Sequence, residues 1–151
     1  MLRLSKKTDY ALMAMKHLVL RGDQGSSSAR EIAEQYDIPI ELMAKVLQRL
    51  VRRGLLASHQ GTRGGYQLAR LPGHITVADV IQAIDGPVTV TACTTEDGRC
   101  DQFAKCNVRD PLWKVRERIL AALGDCTIAE LATDTPPMPA PARAAVLHTH
   151  L

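Results

Sequence analysis

Apolar residues recur at helical spacing through most of the first 86 positions, and turn residues separate the runs. Ala11, Leu12, Met15, Leu18 and Val19 lie three or four apart and predict an amphipathic helix over about Thr8–Arg21. Gly22, Gly25 and the polar Ser26-Ser27-Ser28 end it. Ser28-Ala29-Arg30-Glu31 has capping-box spacing: the serine hydroxyl accepts from a backbone N–H one turn on, and the glutamate reaches back. It opens a short helix through Tyr36 with Ile32 and Ala33 inward. Asp37-Ile38-Pro39-Ile40 is a turn, with Pro39 in the first turn of the next helix, where its missing N–H does no harm. Leu42, Met43, Val46, Leu47 and Leu50 stripe that helix, and Gly54 closes it at about Arg53. Helix, short helix, tight turn, helix is the helix-turn-helix order.

The period then changes. Leu55–His59 and Tyr66–Ala69 read as two short strands around the glycine-rich Gly61-Thr62-Arg63-Gly64-Gly65, a β-hairpin wing. Thr76-Val77-Ala78-Asp79 is a second capping box, starting a helix with Val77, Val80, Ile81 and Ile84 inward that ends near Gly86. Residues 87–109 follow neither period, and a loop of that length in a small domain is usually functional or disordered. Asp110-Pro111 then supplies a cap and a first-turn proline for a helix to about Leu123, with Leu112, Val115, Ile119 and Ala122 along one side. With little core left to cover it, that side is expected to meet a second subunit. Thr127-Ile128-Ala129-Glu130 caps a last short helix, and the tail from Thr133 is proline-rich and expected to be extended or disordered. The fold class that follows is mostly α: a winged helix-turn-helix domain over 1–86, a cysteine loop over 87–110, a dimerisation helix and short terminal helix over 111–132, and a tail over 133–151.

Charge sharpens this division. The net charge is only +3, but residues 1–70 hold twelve Lys/Arg against six Asp/Glu, a net of +6, and the remainder holds seven against ten. A basic half joined to a mildly acidic one suits a polyanion-binding module with a second function attached. No apolar run approaches 18 residues, and the start lacks a secretory pattern, so no membrane association and a cytoplasmic location are expected.

In a helix-turn-helix the second helix enters the major groove and its first residues meet base edges of double-stranded DNA. Here those residues are Pro39, Glu41, Leu42 and Lys45, with Gln48 placed to pair with adenine and Lys45 with guanine or phosphate. Arg49, Arg52 and Arg53 suit phosphates, which strengthen binding without reading sequence. Arg63 at the wing tip suits the minor groove, and Gly64 lets backbone approach DNA closely. Lys6 and Ser28 complete the candidate contacts.

Cys93, Cys100 and Cys106 fall within 14 positions of the irregular loop. In a chain read as cytosolic, clustered cysteines indicate metal or redox chemistry rather than disulfides. Thiolates favour zinc, copper(I) or iron–sulfur clusters, and the paired knuckles common in zinc sites are absent. Three thiolates leave one position to an unusual fourth ligand, which makes a centre easier to attack and favours sensing over structure. Cys126 reads as a structural or incidental thiol. No nucleophile–base pair, phosphate loop or nucleotide fingerprint points to an enzyme. The alternative is a cluster-free thiol switch or metal sensor on the same scaffold; a protein-only adaptor would lack salt-dependent DNA affinity.

Four segments together resemble a known family: Leu2-Arg-Leu-Ser-Lys-Lys-Thr-Asp-Tyr-Ala11, Gly61-Thr-Arg-Gly-Gly-Tyr66, Ile81-Gln-Ala-Ile-Asp-Gly86, and the three-cysteine loop followed by Leu112-Trp113. Over about residues 1–132 the chain resembles the winged-helix iron–sulfur regulators typified by IscR and the nitric-oxide sensor NsrR, with its opening closest to regulators of the SUF cluster-assembly operon. The resemblance implies a homodimer built on the helix after the loop, a palindromic operator, and an iron–sulfur cluster held by Cys93, Cys100, Cys106 and a non-cysteine ligand. In IscR-like members that ligand is a histidine three positions after the last cysteine, where this chain has Arg109, permanently protonated and unable to serve. In NsrR-like members it is an aspartate near the partner's N-terminus, which here matches Asp9. The departure leaves both 4Fe–4S and 2Fe–2S clusters open, with a preference for 4Fe–4S, and leaves open whether the holo or the apo form represses.

Overall fold

The computed structural model describes residues 3–90 and 100–133. Among these residues six helices and one two-stranded sheet follow in order: α1 (Lys6–Arg21), α2 (Ala29–Gln35), α3 (Ile40–Arg52), β1 (Leu56–His59), β2 (Gly65–Leu68), α4 (Val77–Asp85), α5 (Arg109–Asp125) and α6 (Ile128–Ala132). Single 3-10 turns at Gly22–Gln24 and Pro72–His74 join α1 to α2 and β2 to α4. The predicted winged helix-turn-helix is the observed fold. The expectations for Cys93 and for the proline-rich tail fall outside the described residues.

All three capping boxes form: Ser28, Thr76 and Thr127 each accept from the N–H three residues on, and Glu31, Asp79 and Glu130 reach back to the cap. Such a cap satisfies donors that the first helical turn cannot, and losing one costs about 1 kcal/mol. Other boundaries differ from expectation. The first helix starts at Lys6 because Ser5 caps it, its hydroxyl accepting from the Thr8 N–H. Pro39 is the N-cap of α3 rather than a first-turn residue. Asp110 does not cap α5, which begins at Arg109 after Val108; the Asp110 carboxylate accepts from the Arg109 guanidinium instead.

The core is aliphatic. Ala11, Ala14, Met15 and Leu18 of α1 meet Ile32 and Ala33 of α2, Met43, Val46, Leu47 and Leu50 of α3, and Val80, Ala83 and Ile84 of α4. Leu12 and Val19, expected inside, pack at its margin, while Ala14 is fully buried. The turn between α2 and α3 is tight enough to need a left-handed residue, and Asp37 (φ 51°) supplies it. β1 and β2 pair antiparallel, Leu56 opposite Leu68 and His59 opposite Gly65. After α5 the chain returns: Thr127 bridges Thr76, the Ile128 N–H donates to the Ile75 carbonyl at 2.8 Å, and α6 packs on α1 with Ile128 fully buried.

No residue of α5 is buried. Leu112, Trp113 and Val115 are exposed large apolar side chains, and Val108 and Phe103 extend the surface into the preceding segment.

Candidate nucleic-acid interface and cysteine segment

One face of α3 feeds the core, so its other face is free. Glu41, Lys45, Gln48, Arg49 and Arg52 are all exposed, with Leu42 half-buried beside them. Between the start of α1, α3 and the end of α4 runs a groove lined by Lys7, Lys45, Arg49, Arg52 and Arg53 with the apolar Leu42, Val46 and Ile84. Its lining holds five cations and no acid, the pattern expected of a surface that meets phosphates. Arg49 also braces the domain from within. Its Nε donates to the Ala83 carbonyl at 3.1 Å, tying α3 to the last turn of α4.

The wing is bonded to the helix-turn-helix, not merely connected to it. The Ser27 N–H donates to the Tyr66 carbonyl at 3.0 Å and the Tyr66 N–H to that of Ser27 at 2.7 Å, while the Ser26 hydroxyl donates to the Arg63 carbonyl at 2.8 Å. A Cβ on Gly65 would lie 2.6 Å from the Ser27 carbonyl oxygen, and one on Gly64 would lie 2.6 Å from that of His59. Both glycines are therefore demanded by the wing's own packing, a reason for Gly64 separate from approach to DNA. Arg63 projects exposed between β1 and β2. At the same junction Ser28 uses its hydroxyl as acceptor in the α2 cap, which leaves the hydroxyl proton to donate outward.

Sequence reasoning missed the residues that lock these parts together. Asp85, the last residue of α4, receives the Thr8 hydroxyl at 2.8 Å, the Ser5 hydroxyl at 2.5 Å and the Ser5 N–H at 3.1 Å. Burial alone would raise its pKa, but these hydrogen bonds and the charge of Arg49 outweigh it and hold the carboxyl below its ordinary value. His17 stands between the Tyr36 hydroxyl, 3.1 Å from Nδ1, and the Ser27 hydroxyl, 3.4 Å from Nε2. Neither contact had a local signal, because each joins residues far apart in the chain.

Cys100 and Cys106 lie in the segment leading into α5, both half-buried and free of disulfide. The Phe103 N–H donates to the Cys100 carbonyl and the Lys105 N–H to that of Gln102, each at 3.0 Å, so the backbone between the cysteines is turned. Arg109 folds back over this turn, its guanidinium 4.6 Å from the Phe103 ring centre and donating to the Phe103 carbonyl. Two partly accessible thiols in one turned segment fit a thiolate-bound centre by donor chemistry. Asp9 is on the first turn of α1, its carboxylate 46 % exposed and 3.9 Å from the Lys6 ammonium. Among the described residues no three His, Cys, Asp or Glu side chains converge, so Asp9 does not join Cys100 and Cys106 within one chain. Cys126 lies at the far end of α5, roughly 25 Å along a helix of this length. Burial and the neighbouring Glu130 push its thiol pKa up, which disfavours the thiolate a metal needs.

The chain matches the Rrf2 family, described as iron-dependent transcriptional regulators, over residues 4–134. It belongs to that family. The transcriptional regulator IscR of Xenorhabdus nematophila is 35 % identical over 131 residues, which cover 86 % of this chain and 79 % of that one. Among solved structures, CymR of B. subtilis, the global cysteine regulator, superposes with a TM-score of 0.75 at 28 % identity, covering 89 % of this chain and 99 % of that one. IscR of T. potens superposes with a TM-score of 0.66, also at 28 % identity, over 86 % and 85 % of the two chains. This Rrf2 chain is accordingly a DNA-binding transcriptional regulator and not an enzyme. Among its described residues no helix is long and apolar enough to cross a membrane.

Proposed function

We propose that this Rrf2 protein is a homodimeric transcriptional regulator whose affinity for a palindromic operator depends on an iron–sulfur cluster. Cys93, Cys100 and Cys106 of one subunit and Asp9 of the other would hold the cluster, with 4Fe–4S preferred. The observation that carries the reading is the pairing of two free, partly accessible thiols in the turn before α5 with the absence of a third donor beside them among the described residues of the same chain. Cys93 and a second subunit are then the sources of the remaining ligands. When bound, such a cluster supplies a centre that oxidants, nitric oxide or iron shortage can remove.

The chain's own residues supply the rest. The exposed apolar residues of α5 give a second copy something to bury. Asp9 as a partner's ligand would tie the first turn of one subunit's α1 to the other subunit's cysteine segment, and so fix the spacing of two reading heads. Pro39, Glu41, Leu42, Lys45 and Gln48 would meet base edges; Lys6, Ser28, Arg49, Arg63 and Gly64 would meet backbone and minor groove. Residues 1–86 then serve as the reading unit, 87–110 as the sensing loop, and the helix that opens 111–132 as the dimerising element, while the short terminal helix of that stretch packs back on α1. The genes controlled would be those of iron–sulfur assembly or of a redox or nitric-oxide response.

Protein purified without oxygen should be brown, contain iron and sulfide, and give a cluster signature in absorption and Mössbauer spectra. Asp9→Ala should change those spectra while leaving the protein folded. A colourless wild-type protein carrying zinc or a disulfide would instead establish the cluster-free thiol switch, a reading favoured by the extent of the likeness to the cysteine regulator CymR. Identical spectra in wild type and Asp9→Ala would discard Asp9 as a ligand.

A further inference from the structure

We infer that Asp85 is a positioning residue for operator recognition: it clasps the first turn of α1 to the end of α4, and thereby sets the reading helix against the root of the cysteine segment. A carboxylate at a helix C-terminus opposes the helix dipole, so its place at the end of α4 needs compensation. The compensation comes from the opposite, electropositive end of α1. Ser5 donates both its N–H and its hydroxyl to Asp85, and Thr8 donates its hydroxyl at 2.8 Å. Thr8 is completely buried, and a buried hydroxyl needs such a partner.

The same end of α4 is held from a third direction. Arg49, on α3, donates to the Ala83 carbonyl, and its charge contributes to the field at Asp85. Gly86 follows at once with φ 84°, its N–H donating to the Gln82 carbonyl, and the chain leaves α4 toward the cysteines. One carboxylate therefore stands where α1, α3 and the beginning of the sensing segment meet. A shift of Gly86 and Pro87 would reach Lys6 and Lys7 through Ser5, and Arg49 through Ala83.

The clasp rests on DNA binding by this chain and needs no cluster. The test uses full-length protein as isolated and two duplexes: one selected by the wild type from a random-sequence library, and a scrambled version of it. Asp85→Asn keeps the shape but replaces an acceptor oxygen with a donor; Thr8→Val removes the hydroxyl at nearly constant volume. Each should weaken binding to the selected duplex about tenfold and to the scrambled duplex less than twofold, and the double variant should be no worse than the poorer single, as expected of two ends of one interaction. A purely structural role would lower thermal stability and weaken both duplexes together. Equal losses on the two duplexes, no loss, or additive losses would overturn the assignment. Should Asp85→Asn fail to fold, Thr8→Val and Ser5→Ala carry the same comparison. Iron measured on the same samples reports separately on the cluster, so neither reading can hide the failure of the other.

Discussion

His17 joins three parts of the reading head through one ring. It belongs to α1, its Nδ1 faces the Tyr36 hydroxyl at the end of α2, and its Nε2 faces Ser27, whose backbone is bonded to Tyr66 of the wing. Tyr36 meets it edge-on as well, ring centres 5.7 Å apart. Burial lowers the His17 pKa, Arg21 lowers it further, and Glu31 only partly offsets them. The folded state therefore prefers the neutral ring more than the unfolded chain does. The stability this represents is complete above the unfolded value of 6.5 and is lost as pH falls below it toward the lowered folded value. Asp85, with its pKa held below that of an ordinary carboxyl, contributes no change in that window. Denaturant unfolding at pH 7.5 and 5.5 should show wild type losing more stability than His17→Gln between the two. An equal loss in both would mean that His17 does not set this pH dependence.

At the scale of elements, α5 is the helix on which the proposed dimer rests, since none of its residues is buried. Leu112, Trp113 and Val115 are 36 %, 52 % and 44 % exposed, and a two-fold contact would bury each of them twice. Fully burying one such side chain contributes about 1.5–3 kcal/mol, so Val115→Glu, which removes that gain and adds a charge in both subunits, should weaken dimerisation at least about a hundredfold. Analytical ultracentrifugation would read this directly, and a dimer of unchanged affinity would clear α5 of the role. The signs of the elements themselves are unevenly legible. Caps at Ser28, Thr76 and Thr127 can be read from the sequence because donor and acceptor lie three residues apart. The start of α1 has the same spacing, the Ser5 hydroxyl accepting from the Thr8 N–H, but Thr8 lacks the acidic side chain that completes a capping box and makes the other caps easy to read. Asp110-Pro111 misleads by two residues because the preceding turn, anchored by Arg109 on Phe103, already commits the chain to helix at Arg109. Ala14 escapes a periodicity weighed by large side chains, whereas a close helix crossing selects small ones. Of the site, the α3 face and the wing tip follow from local pattern. The Asp85 clasp and the His17 bridge do not, because both join residues distant in the chain: the segments holding Ser5, Thr8 and Asp85 stand out in the sequence, but nothing local pairs them.

For the whole molecule, the proposed dimer makes the distance between two reading heads the quantity to test. A two-fold dimer presents its α3 helices to half-sites about 34–36 Å apart, one turn of the double helix. The wing is bonded to the segment that caps α2, and Asp85 and Arg49 bind α1 and α3 to α4, so the elements of a head are cross-braced, and a head braced in this way is expected to follow a displaced half-site poorly. Five base pairs inserted at the centre of the operator would rotate one half-site by about half a turn, to the opposite face of the duplex. Binding should then fall about a hundredfold or more, toward the affinity of one head alone, and ten inserted pairs should recover only the orientation and not the spacing. Salt provides the internal control. Phosphate contacts release counterions, so the dependence of affinity on salt should become shallower as one head disengages, with the slope falling by roughly the share of contacts that head supplied. Gel-shift titrations of the three duplexes at two salt concentrations would measure both effects. Equal affinity for the original and the five-pair insertion, with an unchanged salt slope, would mean that the heads act independently, and a loop that sets their spacing would then have nothing to regulate.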